Sequence, residues 1–80
     1  MKSFFAICIN NSEYPASLEL HKVYRVLPDK QAERDGDLRI IDESGEDYLY
    51  AANNFELVAL PPHTIRALKK SYPRQIQRAA

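Results

Sequence analysis

The sequence contains no tryptophan, one cysteine and only two glycines among its 80 residues. Because Cys8 is the single cysteine, an internal disulfide is excluded, which is typical of proteins in a reducing compartment. With Gly36 and Gly45 as the only glycines, a glycine-rich phosphate-binding loop is excluded as well. Eleven basic and eleven acidic residues cancel, which excludes a uniformly basic nucleic-acid-coating protein and an acidic solvating chain.

Long apolar runs are also missing. The run at residues 4–9 is shorter than the apolar core of a secretory signal and far shorter than the ~20 residues of a membrane span. We therefore expect a cytoplasmic protein with no membrane partner. A chain of 80 residues has enough apolar side chains for one compact core, which excludes two independent cores.

Charge divides the chain into two parts. Residues 1–63 carry all eleven acidic side chains and six basic ones, which leaves −5, whereas residues 64–80 carry five basic side chains and no acidic one. The boundary lies at Pro61-Pro62, where two missing amide donors end a strand and the second proline can begin a helix. The sequence predicts an acidic body over residues 1–62 and a basic C-terminal helix or tail over residues 63–80.

Five short apolar runs, separated by turn residues, follow one another in the body. Because no helical pattern separates them, they predict an all-β domain, a small antiparallel barrel or sandwich, with an exposed loop at residues 29–36. The runs are residues 4–9, 22–27, 38–41, 48–51 and 55–60. The core residues predicted within them are Cys8, Tyr24, Val26, Phe55 and Val58.

The polar segment at residues 42–47 predicts a tight hairpin, because Ser44-Gly45 supplies a residue that readily takes a positive φ. Four of its six residues are carboxylates, but they lack the alternating ligand pattern of a calcium loop. We interpret this segment as a solvated turn and not as a metal site.

A hairpin centred on residues 44–45 determines which side chains share a face. It pairs Arg39 with Tyr50, and paired residues point to the same side of a sheet. Alternation then places Tyr48 and Tyr50 outside and Leu49 inside.

After the proline pair, apolar side chains recur at helical spacing and predict a helix over residues 64–72, with Thr64 as its N-cap and Pro73 at its end. Its apolar face consists of Ile65, Leu68 and Tyr72. One interpretation docks this face on the body and leaves the basic side chains in water. The main alternative is a nucleic-acid-binding segment, in which the basic side chains neutralise phosphates, and a third interpretation is a tail that binds a partner. The residues of that alternative site are Arg66, Lys69, Lys70 and Arg74.

Two segments resemble Src-homology-3 (SH3) domains. Residues 18–27 (LELHKVYRVL) are similar to the diverging turn and second strand of that family. Residues 45–58 (GEDYLYAANNFELV) are similar to its closing hairpin strand, 3₁₀ turn and last strand. With residues 4–9 as the first strand, the resemblance covers most of the body. The chain also resembles a group of short, uncharacterised bacterial SH3-like proteins, in the segment at residues 38–50.

This resemblance implies a small five-stranded antiparallel SH3-like barrel with a C-terminal helix over one end. It also implies that Tyr50 is a core residue and that Leu49 and Ala51 face the ligand side, which conflicts with the faces expected from the hairpin. Whether Tyr48 and Tyr50 face the core or the solvent is left open between the two arguments.

The chain departs from SH3 domains where those domains grip proline-rich ligands. It has no tryptophan, and Ala51 and Asn54 stand where the family has a proline and a tyrosine. Tyr14 is a single aromatic residue in the first loop, and one ring does not form a trench that packs a polyproline helix. We therefore expect no useful affinity for proline-rich peptides.

Catalytic patterns are absent from the sequence. His21 and His63 are far apart, and neither has cysteines or paired carboxylates at metal-ligand spacing. Cys8 lies within an apolar run, where a thiol is a core filler and not a nucleophile. We expect no enzyme activity, no metal and no cofactor.

The expected function is therefore binding, with another protein as the partner. Loops on a rigid barrel are where such modules carry recognition, and here they are residues 10–17 and 29–36 together with the 3₁₀ turn at residues 52–54. The acidic body favours a basic or neutral partner. The candidate binding residues are Tyr14, Tyr48 and Asn54.

Overall fold

Five antiparallel strands form one sheet in the computed structural model, which describes residues 5–71. The strands are β1 (Phe5–Cys8), β2 (Val23–Leu27), β3 (Asp37–Ile41), β4 (Asp47–Ala51) and β5 (Phe55–Val58). Helix α1 (Lys30–Arg34) precedes β3, a 3₁₀ turn (Ala52–Asn54) joins β4 to β5, and helix α2 (Pro62–Ser71) follows β5. The predicted five-stranded antiparallel sheet with a C-terminal helix is confirmed. The order along the sheet is β4-β3-β2-β1-β5, so β4 and β5 are its edges and the sheet is not closed within the described residues; the predicted SH3-like barrel is not confirmed.

One face of the sheet carries the main core. Because successive side chains of a strand point to opposite faces, residues two apart in each strand meet on this side. Leu18, from the long connection between β1 and β2, is also fully buried there. The predicted core positions of Cys8 and Phe55 are confirmed, whereas Val58 is only half-buried. The buried cluster consists of Ala6, Cys8, Leu18, Tyr24, Val26, Leu38, Ile40, Tyr50 and Phe55.

The segment at residues 29–36, expected to be an exposed loop between strands, contains helix α1. Asp29 is its N-cap, and the Asp29 carboxylate accepts a hydrogen bond of 3.0 Å from the amide of Ala32. At the other end, Gly36 has a φ of 82°, the left-handed conformation that commonly follows a helix. The expectation was wrong because Asp29 and Gly36, which favour the start and the end of a helix, flank a short run of good helix formers. Ala32 within this run is buried.

The predicted register of the β3–β4 hairpin differs from the observed register by one residue. Leu38 lies opposite Tyr50, and Arg39 lies opposite Leu49. The amide of Gly45 donates to the carbonyl of Asp42 at 3.0 Å, and Gly45 has a φ of 83°. This is a three-residue loop that ends in a left-handed glycine, and not a two-residue turn.

A shift of one residue moves every side chain of β4 to the other face. Tyr50 is therefore buried, with 5% of its surface exposed, and Leu49 is 48% exposed. The faces implied by the SH3 resemblance are thus confirmed for these two residues, and those expected from a two-residue turn were wrong. Tyr48 lies on the same face as Tyr50 but next to the hairpin loop, and there it is exposed, the outcome that the turn argument expected for a different reason.

Helix α2 confirms the predicted C-terminal helix but begins at Pro62, so the prediction of Thr64 as N-cap was wrong. A proline at the first helical position loses no intrahelical hydrogen bond, which explains the earlier start. Ile65 and Leu68 are half-buried, and the basic side chains of the helix are exposed. Tyr72, Pro73 and Arg74 lie outside the described residues. Neither α1 nor α2 is long and apolar enough to cross a membrane.

The left-handed conformation that follows the C-terminus of α1 can be tested by replacing Gly36. Replacement by alanine should lower the free energy of unfolding by about 1 kcal/mol, because an L residue is strained in the left-handed region. A Cβ at this position meets no atom within 4 Å, so the loss reports backbone strain alone. Gly36→Asn should lose about half as much, since asparagine tolerates this conformation better. Urea-induced unfolding measures both variants, and an unchanged value for Gly36→Ala would contradict the assignment.

Candidate binding site

A concave surface opens between the β1–β2 connection, the β3–β4 hairpin and the edge strand β4. It encloses about 360 Å³. Two exposed aromatic residues line it, Tyr14 at 41% and Tyr48 at 53% of their surface. We call this surface the tyrosine concavity, and its lining residues are Tyr14, Ser17, Asp42, Ser44, Tyr48, Leu49 and Tyr50.

Tyr14 is held in place by the hydrogen bonds of its own loop. Its amide donates to the carbonyl of Asn11 at 2.9 Å, and its carbonyl accepts from the amide of Leu18 at 3.0 Å. Because Leu18 is buried in the core, this turn is anchored to the body. The ring of Tyr14 meets the ring of Tyr50 edge to face, with centroids 5.0 Å apart and an interplanar angle of 86°.

Asp42 lies at the floor of the tyrosine concavity and is only 2% exposed, so the interpretation of the hairpin acids as solvated was wrong for this residue. Its Oδ1 accepts hydrogen bonds from the amide and hydroxyl of Ser44, at 2.9 and 2.6 Å. Its Oδ2 accepts a bond of 2.6 Å from the hydroxyl of Tyr50. Burial, reinforced by this bond to Asp42, raises the pKa of Tyr50 to about 12.

Glu43, the next residue, also accepts a hydrogen bond from a buried tyrosine. Its carboxylate accepts hydrogen bonds from Lys22 Nζ at 2.8 Å and from the hydroxyl of Tyr24, which itself accepts from the amide of Glu19. Burial acts to raise the pKa of Glu43, but the bonds from Lys22 and Tyr24 hold it below its usual value. Burial and the bond to Glu43 raise the pKa of Tyr24. The hairpin is thereby fixed against β2.

Arg39 connects three elements on the outer side of the hairpin. Its Nε donates to Asp29 at 2.8 Å, and its Nη1 donates to Asp47 at 3.0 Å. The amide of Ala32 and the guanidinium of Arg39 together hold the pKa of Asp29 below its usual value. Asp47, like Glu43, is therefore engaged with a basic side chain and not simply solvated.

Of the three predicted binding residues, Tyr14 and Tyr48 meet in the tyrosine concavity and Asn54 does not line it. Asn54 is half-buried in the 3₁₀ turn, where its carbonyl accepts from the amides of Ile9 and Asn10. Sequence reasoning missed Asp42 as a site residue. The signal was an aspartate two residues before a serine at a strand end, the pattern of a side-chain-closed turn.

Helix α2 presents a second concave surface of about 490 Å³, lined largely by basic side chains. Three of the four residues named for a nucleic-acid site, Arg66, Lys69 and Lys70, line it together, and Arg74 lies outside the described residues. His63 and Ala67 complete the lining.

The remaining reactive side chains lie apart from the tyrosine concavity. His21 and His63 are exposed, as expected, and neither lines it. Cys8 is buried in the core, and burial raises the pKa of its thiol, which disfavours the reactive thiolate. Within residues 5–71, no group of three or more His, Cys, Asp or Glu side chains is arranged to hold a metal ion.

Comparison of the chain with protein-family models, with curated proteins and with solved structures finds no match. Function therefore has to follow from the geometry of the chain itself.

The bond between Tyr50 and Asp42 can be tested with Tyr50→Phe. At pH 7 this change should lower the free energy of unfolding by about 1–3 kcal/mol, because it leaves a buried carboxylate with one donor fewer. A tyrosine pKa raised from 10.0 to about 12 contributes stability that is complete below pH 10 and lost as the pH rises toward 12. The free energy of unfolding, measured with urea at several alkaline pH values, should therefore fall less in Tyr50→Phe than in the wild type. Tyr24, whose pKa is also raised, accounts for the fall that remains in the variant. Equal alkaline losses in both proteins would contradict this role for Tyr50.

The contact of Glu43 can be tested at acid pH. Its lowered pKa contributes stability that is present above its unfolded value of 4.5 and lost as the pH falls through the folded value. Glu43→Gln should therefore reduce the free energy of unfolding by about 0.5–1 kcal/mol at pH 7 and flatten its decline below pH 4.5. Glu56→Gln, at an exposed position of β5, controls for the loss of one surface charge. Identical acid limbs for Glu43→Gln and the wild type would contradict the proposed contact.

Proposed function

We propose that this chain is a small non-enzymatic protein-binding module that takes a segment of another protein into the tyrosine concavity. The observation that carries the proposal is the convergence of Tyr14, Tyr48 and Leu49, three of the most exposed large apolar side chains, on one concave surface. Aromatic residues beside a few hydrogen-bonding groups are typical of the centres of protein interfaces.

The scaffold we propose for this module is an SH3-like barrel, with residues 1–62 as the barrel and residues 63–80 as a basic helical segment. Three features support it: the strand order, the long connection between β1 and β2, and the 3₁₀ turn between β4 and β5. A rigid sheet that presents recognition side chains from loops and an edge strand is a common plan for binding modules.

Leu49 lies in the edge strand β4, which offers a partner both an apolar side chain and unpaired backbone groups. Edge strands invite pairing with another chain, and binding modules use them to capture extended peptides. Burying the exposed part of Leu49 favours association at about 25 cal/mol per Å² of apolar surface. The partner segment that we propose is extended and not proline-rich, because proline cannot donate to an edge strand.

Protein binding fits this surface better than catalysis does. The tyrosine concavity contains hydroxyls and one carboxylate, but neither a histidine nor the thiol of Cys8 lines it. General acid–base or covalent catalysis requires a base and a nucleophile within hydrogen-bond reach of one another. A cytoplasmic location, with Cys8 kept as a buried free thiol, is part of this proposal.

Nucleic-acid binding by α2 is the second candidate. The observation that favours it is the grouping of Arg66, Lys69 and Lys70 on one exposed surface. These side chains can neutralise phosphates, which gives affinity that falls steeply with salt but carries no base recognition. We place it second because the described side chains of α2 include no phenylalanine, tyrosine or tryptophan, which leaves the imidazole of His63 as the one ring available for stacking there.

Selection of peptide ligands with a matched pair of variants tests the protein-binding proposal. Peptides enriched from a random library on the wild-type chain should shift the backbone amide resonances of Tyr14, Tyr48 and Leu49. Leu49→Ser should weaken their binding about tenfold through lost apolar contact. Leu57→Ser changes an equally exposed leucine, 49% against 48%, on the opposite edge strand β5, and should leave affinity unchanged.

Three results would contradict it: no enriched peptides, peptides that map to β5 or α2, or equal losses in the two leucine variants. Fluorescence anisotropy with mixed-sequence RNA and DNA at low salt runs in parallel. Binding that Lys69→Glu abolishes and Leu49→Ser leaves intact would favour the nucleic-acid candidate instead.

A further inference from the structure

We infer that the group recognised in the tyrosine concavity is a cation, the ammonium or guanidinium of a lysine or arginine side chain in a basic partner segment. This inference rests on the proposed function and names the chemistry of the ligand. It follows from a buried carboxylate without a basic partner, which lines the same concave surface as two exposed tyrosines.

Adjacent residues Asp42 and Glu43 each accept a hydrogen bond from a buried tyrosine, but only one of the two pairs has a cation. Glu43 holds the ammonium of Lys22 at 2.8 Å, and that ammonium also lies 5.5 Å from the ring centroid of Tyr24. The first pair is thus a complete cation site, made of a carboxylate, a tyrosine and a lysine of the same chain.

The second pair repeats the carboxylate and the tyrosine without the lysine. Asp42 accepts hydrogen bonds from Tyr50 and from Ser44, and both are neutral donors. Within residues 5–71 no basic side chain pairs with Asp42. A buried charge is disfavoured unless it is paired, so a cation brought from outside gains from this position. Asp42 lines the tyrosine concavity together with the exposed residues Tyr14 and Tyr48, so this surface is the side from which a cation would reach it.

The walls of the tyrosine concavity suit a cation as well. Tyr14 and Tyr48 both line it and are both exposed, and the negative face of a tyrosine ring attracts ammonium and guanidinium groups. The aliphatic stem of a lysine or arginine can lie on Leu49 while its charged end faces the rings.

Other ligands fit less well. A phosphate or carboxylate would meet the charge of Asp42 and the negative faces of the rings. A metal ion would need several oxygen ligands, but within residues 5–71 no group of three or more His, Cys, Asp or Glu side chains is arranged to hold one. The net charge of −5 over residues 1–63 adds a long-range attraction for a basic segment.

Titration of the isotope-labelled full chain with small cations tests the inference directly. The probes are N-acetyl-arginine methylamide, N-acetyl-lysine methylamide and tetramethylammonium, with N-acetyl-citrulline methylamide as the neutral match for arginine. We expect saturable shifts at the amides of Tyr14, Asp42 and Tyr48 with the cations and not with citrulline. Comparison of the three cations shows which ammonium or guanidinium group the site prefers.

Variants separate the charge from the rings. Asp42→Asn keeps an oxygen that can accept from Ser44 and removes the charge, so the shifts should lose most of their amplitude. Tyr48→Leu keeps an apolar side chain and removes the ring, which should weaken cation binding about two- to fivefold. Tyr48→Phe restores a ring and should recover most of that loss, whereas Leu57→Ser is the unchanged control. If Asp42→Asn does not fold, the Tyr48 pair still decides the outcome.

The inference is overturned if citrulline matches arginine, if the shifts map elsewhere, or if Tyr48→Leu binds cations as the wild type does. Its failure differs from failure of the proposed function. Library peptides that bind in the tyrosine concavity without an enriched lysine or arginine would support protein binding and contradict the inference of a cation ligand. Shifts of the Asp42 amide with the small cations, in the absence of any enriched peptide ligand, would support the cation site and contradict the protein-binding proposal.

Discussion

The hydrogen bond between a buried tyrosine and a hairpin carboxylate is the interaction on which the rest of this structure depends. It occurs twice, as Tyr50 with Asp42 and as Tyr24 with Glu43. Each bond runs from a core aromatic ring to the loop that joins β3 to β4. Because polar groups are tolerated in a core only when they are satisfied, these bonds fix both the position of the hairpin and the depth of the rings. The tyrosine concavity is the surface that this arrangement leaves beside β4.

One residue in the hairpin loop decides which side chains belong to the core and which to the surface. Gly45 takes the left-handed conformation, and the loop therefore has three residues where a tighter turn has two. The extra residue turns Tyr50 inward and Leu49 outward. A two-residue turn would exchange them, which would put a phenol out of reach of Asp42 and remove the apolar side chain from the concavity. Core and candidate site are thus consequences of the same loop length.

The sequence was sufficient for the features that depend on local pattern. Strand positions follow from short apolar runs, and the end of the body follows from the proline pair, because both patterns act within a few residues. The register of β4 was missed because it depends on the loop length at Gly45, and Ser44-Gly45 fits a two-residue turn as well as a three-residue loop. The burial of Asp42 was missed because it also depends on Tyr50 facing the core, which only the correct register provides. Helix α1 was missed although its capping signals, Asp29 and Gly36, stand in the sequence. For the site, Tyr14 and Tyr48 were each named, but their convergence is a property of the folded chain, and Asn54 lies elsewhere.

Zero net charge conceals an uneven distribution of compensated and uncompensated carboxylates. Glu43 pairs with Lys22, and Asp29 and Asp47 share Arg39, so each of these acids has a basic partner within the body. Asp42 is the buried acid whose bonds come from neutral donors. The cation that we propose for the tyrosine concavity would give Asp42 the basic partner that it lacks, whereas an anion or an apolar group would leave it without one. The same buried carboxylate therefore favours one class of partner and disfavours the others, so that affinity and selectivity have one source.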